Sequence, residues 1–368
     1  MEKKYKKLKI ITIILGVIVI LGMTVAGIGA YYFFNRDALK QTTLVQEMQF
    51  LRNKVKHEFY SDYEYTENVH NAAYKLDLND GKTDMHATHP KILNFKEKWN
   101  GYKYWLVYSP YPFANDKYEN PWLVASNDLK KWETPKGLKN PIEPTPQNYK
   151  HEDIYNSDPH IVYNNDTNKM ELYFRFVDDI KDEVIIYRRT SSDGIKWTEK
   201  EKIISNTRSK VDYLSPAIIY DNGVYKMWSV NKDHEVYYME STDGYKYSTP
   251  RKISLSYPIP KLQSWHLDVI KTEKGYEMIV AAYRYHKDRN SMNLYYFSSK
   301  DNENYSNGIT ILRPSLISWD NKGIYRSTFM YEDGTYYVFY AGISLKNERG
   351  VGLAYGEHIE NLIGSKIK

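Results

Sequence analysis

The chain has 368 residues, a formal net charge of +5, 37 tyrosines, 8 tryptophans and no cysteine. The absence of cysteine excludes disulfides, thiolate zinc sites and a cysteine nucleophile. The positive charge is concentrated at the amino terminus and the rest of the chain is near balance, so a nucleic-acid-binding role is not indicated. Tyrosine and tryptophan favour β-strands and form flat, amphipathic surfaces on which sugars stack.

The amino terminus combines a basic tail at 1–9 with an uncharged apolar run at 10–34. The run is long enough to cross about 30 Å of hydrocarbon. Lysines before it and aromatic residues at its far end predict a single-pass signal-anchor in the cell membrane, with the amino terminus in the cytoplasm. A cleaved signal peptide is the alternative because small residues end the run, but the apolar part of a signal peptide is shorter, about 7–15 residues. Either reading places the rest of the chain outside the cytoplasm.

Residues 35–60 are polar and favour a helix, with a stripe formed by Leu44, Met48, Leu51 and Val55. Their heptad-like spacing predicts a helical stalk that packs on the membrane or on the following domain. A short self-associating coiled coil is the alternative.

A turn motif recurs in the remainder of the chain, with the pattern Ser-x-Asp-x-x-x-aromatic. It occurs as SNDLKKW from Ser126, SSDGIKW from Ser191, STDGYKY from Ser241 and SKDNENY from Ser299. Serine and aspartate side chains cap turns by bonding to the backbone. The four aspartates are therefore interpreted as structural, and the aromatic residue is predicted to begin an outer strand.

Upstream of each turn motif lies a short apolar run that opens with polar residues, and a fifth such run lies near the carboxyl end. The five runs are HPKIL, DPHIV, SPAII, HLDVI and RSTFM, beginning at His89, Asp158, Ser215, His266 and Arg326. Five units of three or four strands predict an all-β, five-bladed β-propeller over 61–368. Residues 71–78 are predicted to close the last blade. A β-sandwich is the rival fold, which regular units with repeated turns fit less well.

The inner strand of each blade in a propeller lines the central channel, and its side chains alternate with period two. The first and third residues of each run should therefore share a face and meet at one end of the axis. This set contains His89, Asp158, His160, His266, Asp268 and Arg326. Because buried charges are costly without partners, this cluster predicts a functional site. A polar, water-filled axis with internal salt bridges is the alternative.

The blade pattern, the string SDPH and the Ser-x-Asp-Gly-x-x-Trp turn resemble the five-bladed propeller glycoside hydrolases of families 43, 32, 62 and 68. The strings SPYP…YENP, WHLDV and YRS are similar to those of a related membrane-anchored bacterial group. The resemblance implies three carboxylates at the channel: a base or nucleophile in blade one, an orienting aspartate in blade two and an acid in blade three. Asp158 matches the second of these, whereas His89 and Ser215 occupy the other two positions.

Glycoside hydrolysis requires two carboxyl groups, about 5–5.5 Å apart for retention or about 6.5–9.5 Å apart for inversion. The candidate catalytic carboxylates are Asp158, Asp268 and Glu119, and His266 is a candidate proton shuttle. Glu119 lies in the loop SPYPFANDKYENP, which is predicted to overhang the channel. A solvated loop acid is the alternative reading of Glu119.

The candidate substrate-binding residues are aromatic platforms and cations. Trp265 is a candidate platform, although core packing explains it equally well. Arg326 is suited to hold a carboxylate or phosphate. Arg175 interrupts an apolar strand, where it either reaches the channel or pairs with a neighbouring carboxylate. The full set of binding candidates is His89, His160, Arg326, Tyr111, Trp265 and Arg175.

No sequence motif indicates a cofactor. A divalent metal in the central channel is an alternative that rests on convergence alone. Its candidate ligands, of types that suit zinc or a related ion, are His89, His160, His266, Asp158 and Asp268. Calcium in the axis is a comparable alternative.

These observations predict a membrane-anchored, extracytoplasmic, glycoside hydrolase-like protein that acts on a cell-surface or extracellular polysaccharide. The alternative is a non-catalytic glycan-binding or polysaccharide-assembly protein that keeps the cleft without the chemistry. A third hypothesis is metal-dependent cleavage of a wall polymer that contains phosphodiesters. Fold resemblance alone does not decide among them.

Overall fold

The computed structural model describes residues 51, 71–72, 74–78, 84–146, 153–315 and 318–364. These residues form eighteen β-strands and two single-turn 3₁₀ helices, and the strands build five antiparallel sheets. The predicted tail, the predicted anchor and all of the predicted stalk except Leu51 lie outside the described residues. Within the described part of the chain, no helix has the length and apolar character needed to cross a membrane.

Each sheet is one blade, and its strands follow one another along the chain from the inner edge outwards. The first two blades contain β1 (Ala87–Trp99), β2 (Tyr102–Pro110) and β3 (Trp122–Ser126), then β4 (Ile154–Asn164), β5 (Lys169–Asp178), β6 (Glu183–Ser191) and β7 (Glu201–Thr207). The next two contain β8 (Leu214–Asp221), β9 (Val224–Val230), β10 (Val236–Ser241) and β11 (Arg251–Ile253), then β12 (Leu262–Thr272), β13 (Gly275–Arg284), β14 (Asn293–Ser299) and β15 (Ile309–Leu312). The fifth blade contains β16 (Gly323–Glu332), β17 (Thr335–Ile343) and β18 (Arg349–Gly356). The 3₁₀ helices, Pro112–Ala114 and Asp116–Tyr118, lie between β2 and β3.

The five inner strands form a closed ring. Strand β1 contacts β4 and β16, β12 contacts β8 and β16, and β4 contacts β8. Each inner strand therefore has two neighbours, which confirms the predicted five-bladed propeller. All five predicted opening runs lie within these strands.

The described part of the predicted closing segment, 71–78, lies against the fifth blade. The Leu76 backbone N–H donates to the Val351 carbonyl over 2.7 Å, and the Trp319 indole donates to the Ala72 carbonyl over 3.0 Å. The Tyr340 hydroxyl in turn accepts from the Ala72 N–H at 2.8 Å. The segment is held mainly by side chains, and its described residues do not form a regular fourth strand.

Five hydrophobic cores fill the interfaces between neighbouring blades. The aromatic residue of each turn motif packs into one of these interfaces, and the four residues are Trp132, Trp197, Tyr247 and Tyr305. The prediction that this residue begins an outer strand is wrong, because β7, for example, begins only at Glu201. Burial of a large ring between two blades removes more apolar surface from water than a place at a sheet edge would.

Every inner strand carries a β-bulge at the end where its polar residues lie. The pairing registers shift between Thr88 and Lys91, between Ser157 and His160, and at the corresponding points of the other three inner strands. In the first three blades the residue before a proline adopts positive φ, namely 53° at His89, 50° at Asp158 and 51° at Ser215. Such backbone conformations are costly for residues other than glycine and cluster at functional sites. Bulges also redirect side chains, here toward the axis.

Candidate metal centre and its surroundings

Three side chains from three different blades meet at the axis: His89 on β1, Asp158 on β4 and His266 on β12. Each offers one donor atom, and the three donor atoms lie within 4.8 Å of one another. Asp158 Oδ1 is 3.9 Å from His89 Nε2 and 3.5 Å from His266 Nδ1. All three residues are at most 3% exposed. This group is called the triad below.

Hydrogen bonds from the protein orient two members of the triad. The Ser109 hydroxyl lies 2.7 Å from His89 Nδ1, which leaves Nε2 directed at Asp158. Asp158 accepts a hydrogen bond from Arg326 Nη1 at 3.2 Å and another from the Ser215 backbone N–H at 3.3 Å. Neither ring nitrogen of His266 has a hydrogen-bond partner, although both are buried. A buried polar atom without a partner is rare, and a bound ligand, ion or water is the usual explanation.

Glu119 joins this cluster from the loop between β2 and β3. Its Oε1 lies 3.2 Å from His89 Nδ1, and the residue is 5% exposed. The two short helices fold the loop inward, so the reading of Glu119 as a solvated loop acid is wrong. Glu119 and Asp158 contact opposite nitrogens of the same imidazole.

Burial and neighbouring charges set the protonation states of the cluster. Burial lowers the pKa of His89 to about 3 and holds the pKa of His266 well below its ordinary value. Burial alone would raise the pKa of Asp158, but the adjacent His266 and Arg326 lower it below its usual range. Burial, followed by the charges of Asp116 and Asp158, raises the pKa of Glu119 well above its ordinary value. At neutral pH the triad therefore has two neutral imidazoles and one carboxylate, and burial favours the protonated form of Glu119.

The triad fits a divalent ion. Two donors that bind one zinc ion tetrahedrally at about 2.1 Å lie about 3.4 Å apart, close to the separations found around Asp158. Neutral imidazoles and an ionised carboxylate are the ligand forms a metal requires. Ser109 beside His89 and Arg326 beside Asp158 provide the supporting hydrogen bonds typical of metal ligands. The predicted ligand set is thereby narrowed, since His160 and Asp268 lie in a different layer.

The third residues of the opening runs form that second layer. Lys91 Nζ lies 2.8 and 3.0 Å from the two carboxylate oxygens of Asp268, and the Thr328 hydroxyl donates to Asp268 at 2.7 Å. His160 bonds to the Ile218 backbone through Nε2 and lies 3.4 Å from Arg326 Nη2 through Nδ1. The structure thus engages Asp268 in a buried salt bridge, so its predicted catalytic role has no support from its contacts.

The predicted binding residues differ in their surroundings. Arg175 pairs with Asp212 and donates to Ser157 at 3.0 Å, so it follows the alternative of pairing with a neighbouring carboxylate. The Trp265 ring has the Arg289 guanidinium 4.4 Å from its centroid and packs against core residues of the fourth blade. Arg326 donates through Nη1 to Asp158 and through Nη2 to the Pro216 carbonyl, its Nη2 also lies 3.4 Å from His160, and its Nε has no partner. Tyr111 does reach the site, with its ring centroid 5.8 Å from that of His89.

Two residues beside the triad escaped the sequence analysis. The Tyr325 ring centroid lies 4.4 Å from that of His266 and 5.3 Å from that of His89. Arg349, at the start of β18, lies over the rings of both Tyr111 and Tyr325. Arg349 is the polar residue that opens the apolar run RGVGLAY, and this position is the sequence signal that could have identified it. The sequence predicts that only inner strands reach the axis, so a third strand was not a candidate.

Comparisons with known proteins place this geometry in context. No protein-family model matches the chain. The chain is 31% identical over 317 residues to an A type blood N-acetyl-α-D-galactosamine deacetylase from Flavonifractor plautii, a match covering 71% of this chain. The match covers 40% of the deacetylase, so the chain spans less than half the length of this curated relative.

Solved structures give the same picture. A crystal structure of an N-acetylgalactosamine deacetylase from F. plautii with blood group B trisaccharide has a TM-score of 0.71 at 26% identity, covering 81% of this chain and 98% of that one. An exo-1,5-α-L-arabinanase from a bovine ruminal metagenomic library has a TM-score of 0.53 at 16% identity, covering 77% and 95%. The chain is a five-bladed propeller that resembles family 43 glycoside hydrolases in fold. It resembles the deacetylase in both fold and sequence.

Proposed function

We propose that this chain is a divalent-metal-dependent deacetylase of an N-acetylated sugar in a cell-surface or extracellular polysaccharide. The observation that carries the proposal is the triad of His89, Asp158 and His266, whose donors lie within 4.8 Å and leave both nitrogens of His266 without a hydrogen bond. The resemblance to an N-acetylgalactosamine deacetylase supports an acetamido group as the reacting group.

The reaction is hydrolysis of an amide. Water adds to the carbonyl carbon, the C–N bond breaks, and acetate and a free amine leave. A divalent ion bound by the triad would act as a Lewis acid on the amide carbonyl. Glu119 lies 3.2 Å from His89 Nδ1, on the side of the ring away from Asp158, where it would support the imidazole that holds the ion. Arg326 and Ser109 keep Asp158 and His89 in position.

The arrangement of the buried carboxyl groups supports deacetylation over cleavage of a glycosidic bond. Asp268 is neutralised by Lys91 and bonded to Thr328, which leaves Asp158 and Glu119 as the remaining pair. The His89 imidazole lies between these two, and Asp158 is already bound by Arg326. A sugar would have to displace that ring to lie between the carboxyl groups. Glycosidic cleavage therefore stays a prediction that the experiment below also tests.

The proposed location follows from the amino terminus. The uncharged run at 10–34, preceded by lysines, supports a single-pass anchor with the propeller outside the cytoplasm. An anchored enzyme of this kind would meet polymers at the surface of its own cell. The proposed substrate is accordingly a polysaccharide or wall glycan.

Acetate release tests the proposal directly. The full chain in detergent is incubated with oligosaccharides that contain N-acetylgalactosamine, with and without added zinc, manganese or calcium. We expect free acetate and a product lighter by one acetyl group, both abolished by a chelator and by Asp158→Asn. Asp193→Asn, at a turn remote from the triad, is the matched control and should retain activity.

Three other results would contradict the proposal. Shortened glycans that keep their acetyl groups would instead identify a glycosidase. Binding of intact glycan without any product would identify a recognition module. Acetate release that is insensitive to the chelator would show that the activity does not depend on a metal.

A further inference from the structure

Arg349 occupies a buried position one aromatic ring away from the triad. Its guanidinium carbon lies 4.6 Å from the centroid of the Tyr111 ring and 4.9 Å from that of Tyr325. Both tyrosines contact His89, and Tyr325 also contacts His266. Arg349 is 2% exposed. The two rings fix the plane of the guanidinium, so its N–H groups have defined directions.

Two of the three guanidinium nitrogens of Arg349 lack partners. Nε and Nη1 are buried and have no hydrogen bond, and no carboxylate forms an ion pair with Arg349 among the residues that the structure describes. Other buried arginines are paired: Arg175 with Asp212, and Arg188 with Glu201. A buried cation without a counter-charge is costly, because it loses hydration and gains no ion pair.

The carboxyl group nearest to the cluster does not supply the missing charge. Glu119 contacts His89, with its Oε1 3.2 Å from Nδ1, and forms no ion pair with Arg349 among the described residues. Asp158 has its own cation in Arg326 at 3.2 Å.

We propose that Arg349 binds an oxyanion substituent of the glycan, a carboxylate or a phosphate, roughly one sugar ring away from the reacting acetamido group. The inference rests on the proposed function for the identity of the reacting group, and it narrows the substrate to an acidic polysaccharide. Arginine suits this task because it remains charged when buried and donates directional hydrogen bonds to oxyanions. Stacking on Tyr111 and Tyr325 holds it ready before the ligand arrives.

Equilibrium binding tests this role without relying on turnover. Two matched pairs of probes are titrated into the chelator-treated full chain: an unsulfated chondroitin tetrasaccharide against its carboxyl-reduced form, and N-acetylgalactosamine 6-phosphate against N-acetylgalactosamine. We expect the wild type to bind the charged member of at least one pair about tenfold or more tightly. The pair that shows the preference distinguishes carboxylate from phosphate.

Substitutions then assign the preference to one side chain. Arg349→Gln should abolish the preference, and Arg349→Lys should retain part of it because the charge remains. Arg188→Gln is the matched control, since Arg188 is also buried and stacked on a tyrosine, at 4.6 Å from the Tyr245 ring, but is paired with Glu201. This variant should keep the full preference.

The outcomes separate this inference from the proposed function. Equal binding of charged and neutral probes by the wild type would overturn it, as would a preference that survives in Arg349→Gln. Acetate release without any charge preference would overturn it and leave the deacetylase proposal standing. A charge preference that requires Arg349, without acetate release from any probe, would support it and contradict the deacetylase proposal.

Discussion

Two layers of polar residues lie along the propeller axis, two positions apart on the same inner strands. The outer layer contains the triad, and the inner layer contains Lys91, Asp268 and Thr328. Residues of both layers are almost completely buried. In the inner layer the carboxylate of Asp268 has three hydrogen bonds from Lys91 and Thr328. In the outer layer both nitrogens of His266 have none.

Unmet hydrogen-bonding capacity, rather than burial or charge, therefore distinguishes the layer that we propose as the ligand site. A buried ion pair with all its partners present is complete as a structural element. A buried imidazole with no partner costs free energy unless something binds to it. The inner layer is therefore read as a structural seal across the channel, and the outer layer as a ligand site.

The largest expected effect comes from removing His266, the member of the triad whose ring nitrogens make no hydrogen bond. His266→Ala should weaken metal binding by more than about 100-fold, the upper end for losing a residue that merely supports a ligand. Its free energy of unfolding without metal should fall only by the cost of the lost ring packing against Tyr325, because His266 makes no hydrogen bond in the fold. Metal titration calorimetry and chemical denaturation measure the two effects. His234→Ala, outside the triad, is the control, and equal metal affinity in the two variants would contradict the assignment.

Breaking the inner layer should instead destabilise the fold. Asp268→Leu leaves Lys91 buried without a counter-charge, and we expect a loss of about 3–5 kcal/mol in the free energy of unfolding. The double variant Lys91→Met with Asp268→Leu removes both charges and should recover most of that loss. Denaturant unfolding of the three proteins checks this. A double variant as unstable as Asp268→Leu would show that the loss of stability does not come from the unpaired charge of Lys91.

Glu119→Gln should change how the free energy of unfolding depends on pH. Because the folded-state pKa of Glu119 lies above its ordinary value of 4.5, the folded protein keeps a proton that the unfolded chain releases. The metal-free wild type should therefore lose stability relative to Glu119→Gln as pH rises above about 4.5, at up to about 1.4 kcal/mol per pH unit. Thermal unfolding between pH 4 and pH 9 measures the difference. A difference that does not change with pH would place Glu119 in a solvated, ionised state.

The same substitution should affect turnover. Glu119→Gln should retain the metal and lower the acetate release rate by about 10–100-fold, the usual cost of losing a group that supports a metal ligand. An unchanged rate would remove Glu119 from the reaction.

The smallest expected effect lies far from both layers, at the repeated turn. Asp193 Oδ1 accepts from the Ile195 and Lys196 N–H groups at 2.8 Å, and Ser191 donates to it at 3.0 Å. Asp193→Ala should cost about 1 kcal/mol of unfolding free energy. Metal affinity and acetate release should match the wild type. A marked loss of activity would mean that the turn aspartates are more than structural.

The sequence predicted the propeller because its signals are local. Period-two alternation and the Ser-x-Asp turns mark each blade, and a closed ring of five follows from their number. The same alternation indicated that His89, Asp158 and His266 would meet. It did not separate them from Asp268, because the spacing along a strand does not reveal which side chains saturate one another.

The parts of the site that the sequence missed depend on contacts between blades. Arg349 opens a third strand, and it reaches the axis only because Tyr111 and Tyr325 receive its side chain. The sequence predicts that Arg326 binds substrate, but the structure bonds its side chain to other blades for a similar reason. Its Nη1 and Nη2 groups contact Asp158, His160 and the Pro216 carbonyl, which come from the second and third blades. No local pattern encodes such pairings.

The most direct test of the central claim is an anomalous-scattering crystal structure of the chain grown with zinc. We expect one strong peak at the axis, about 2.0–2.2 Å from a nitrogen of His89, a nitrogen of His266 and a carboxylate oxygen of Asp158. A zinc-grown crystal without a peak there, with the three side chains bonded to one another or to protein groups, would contradict it.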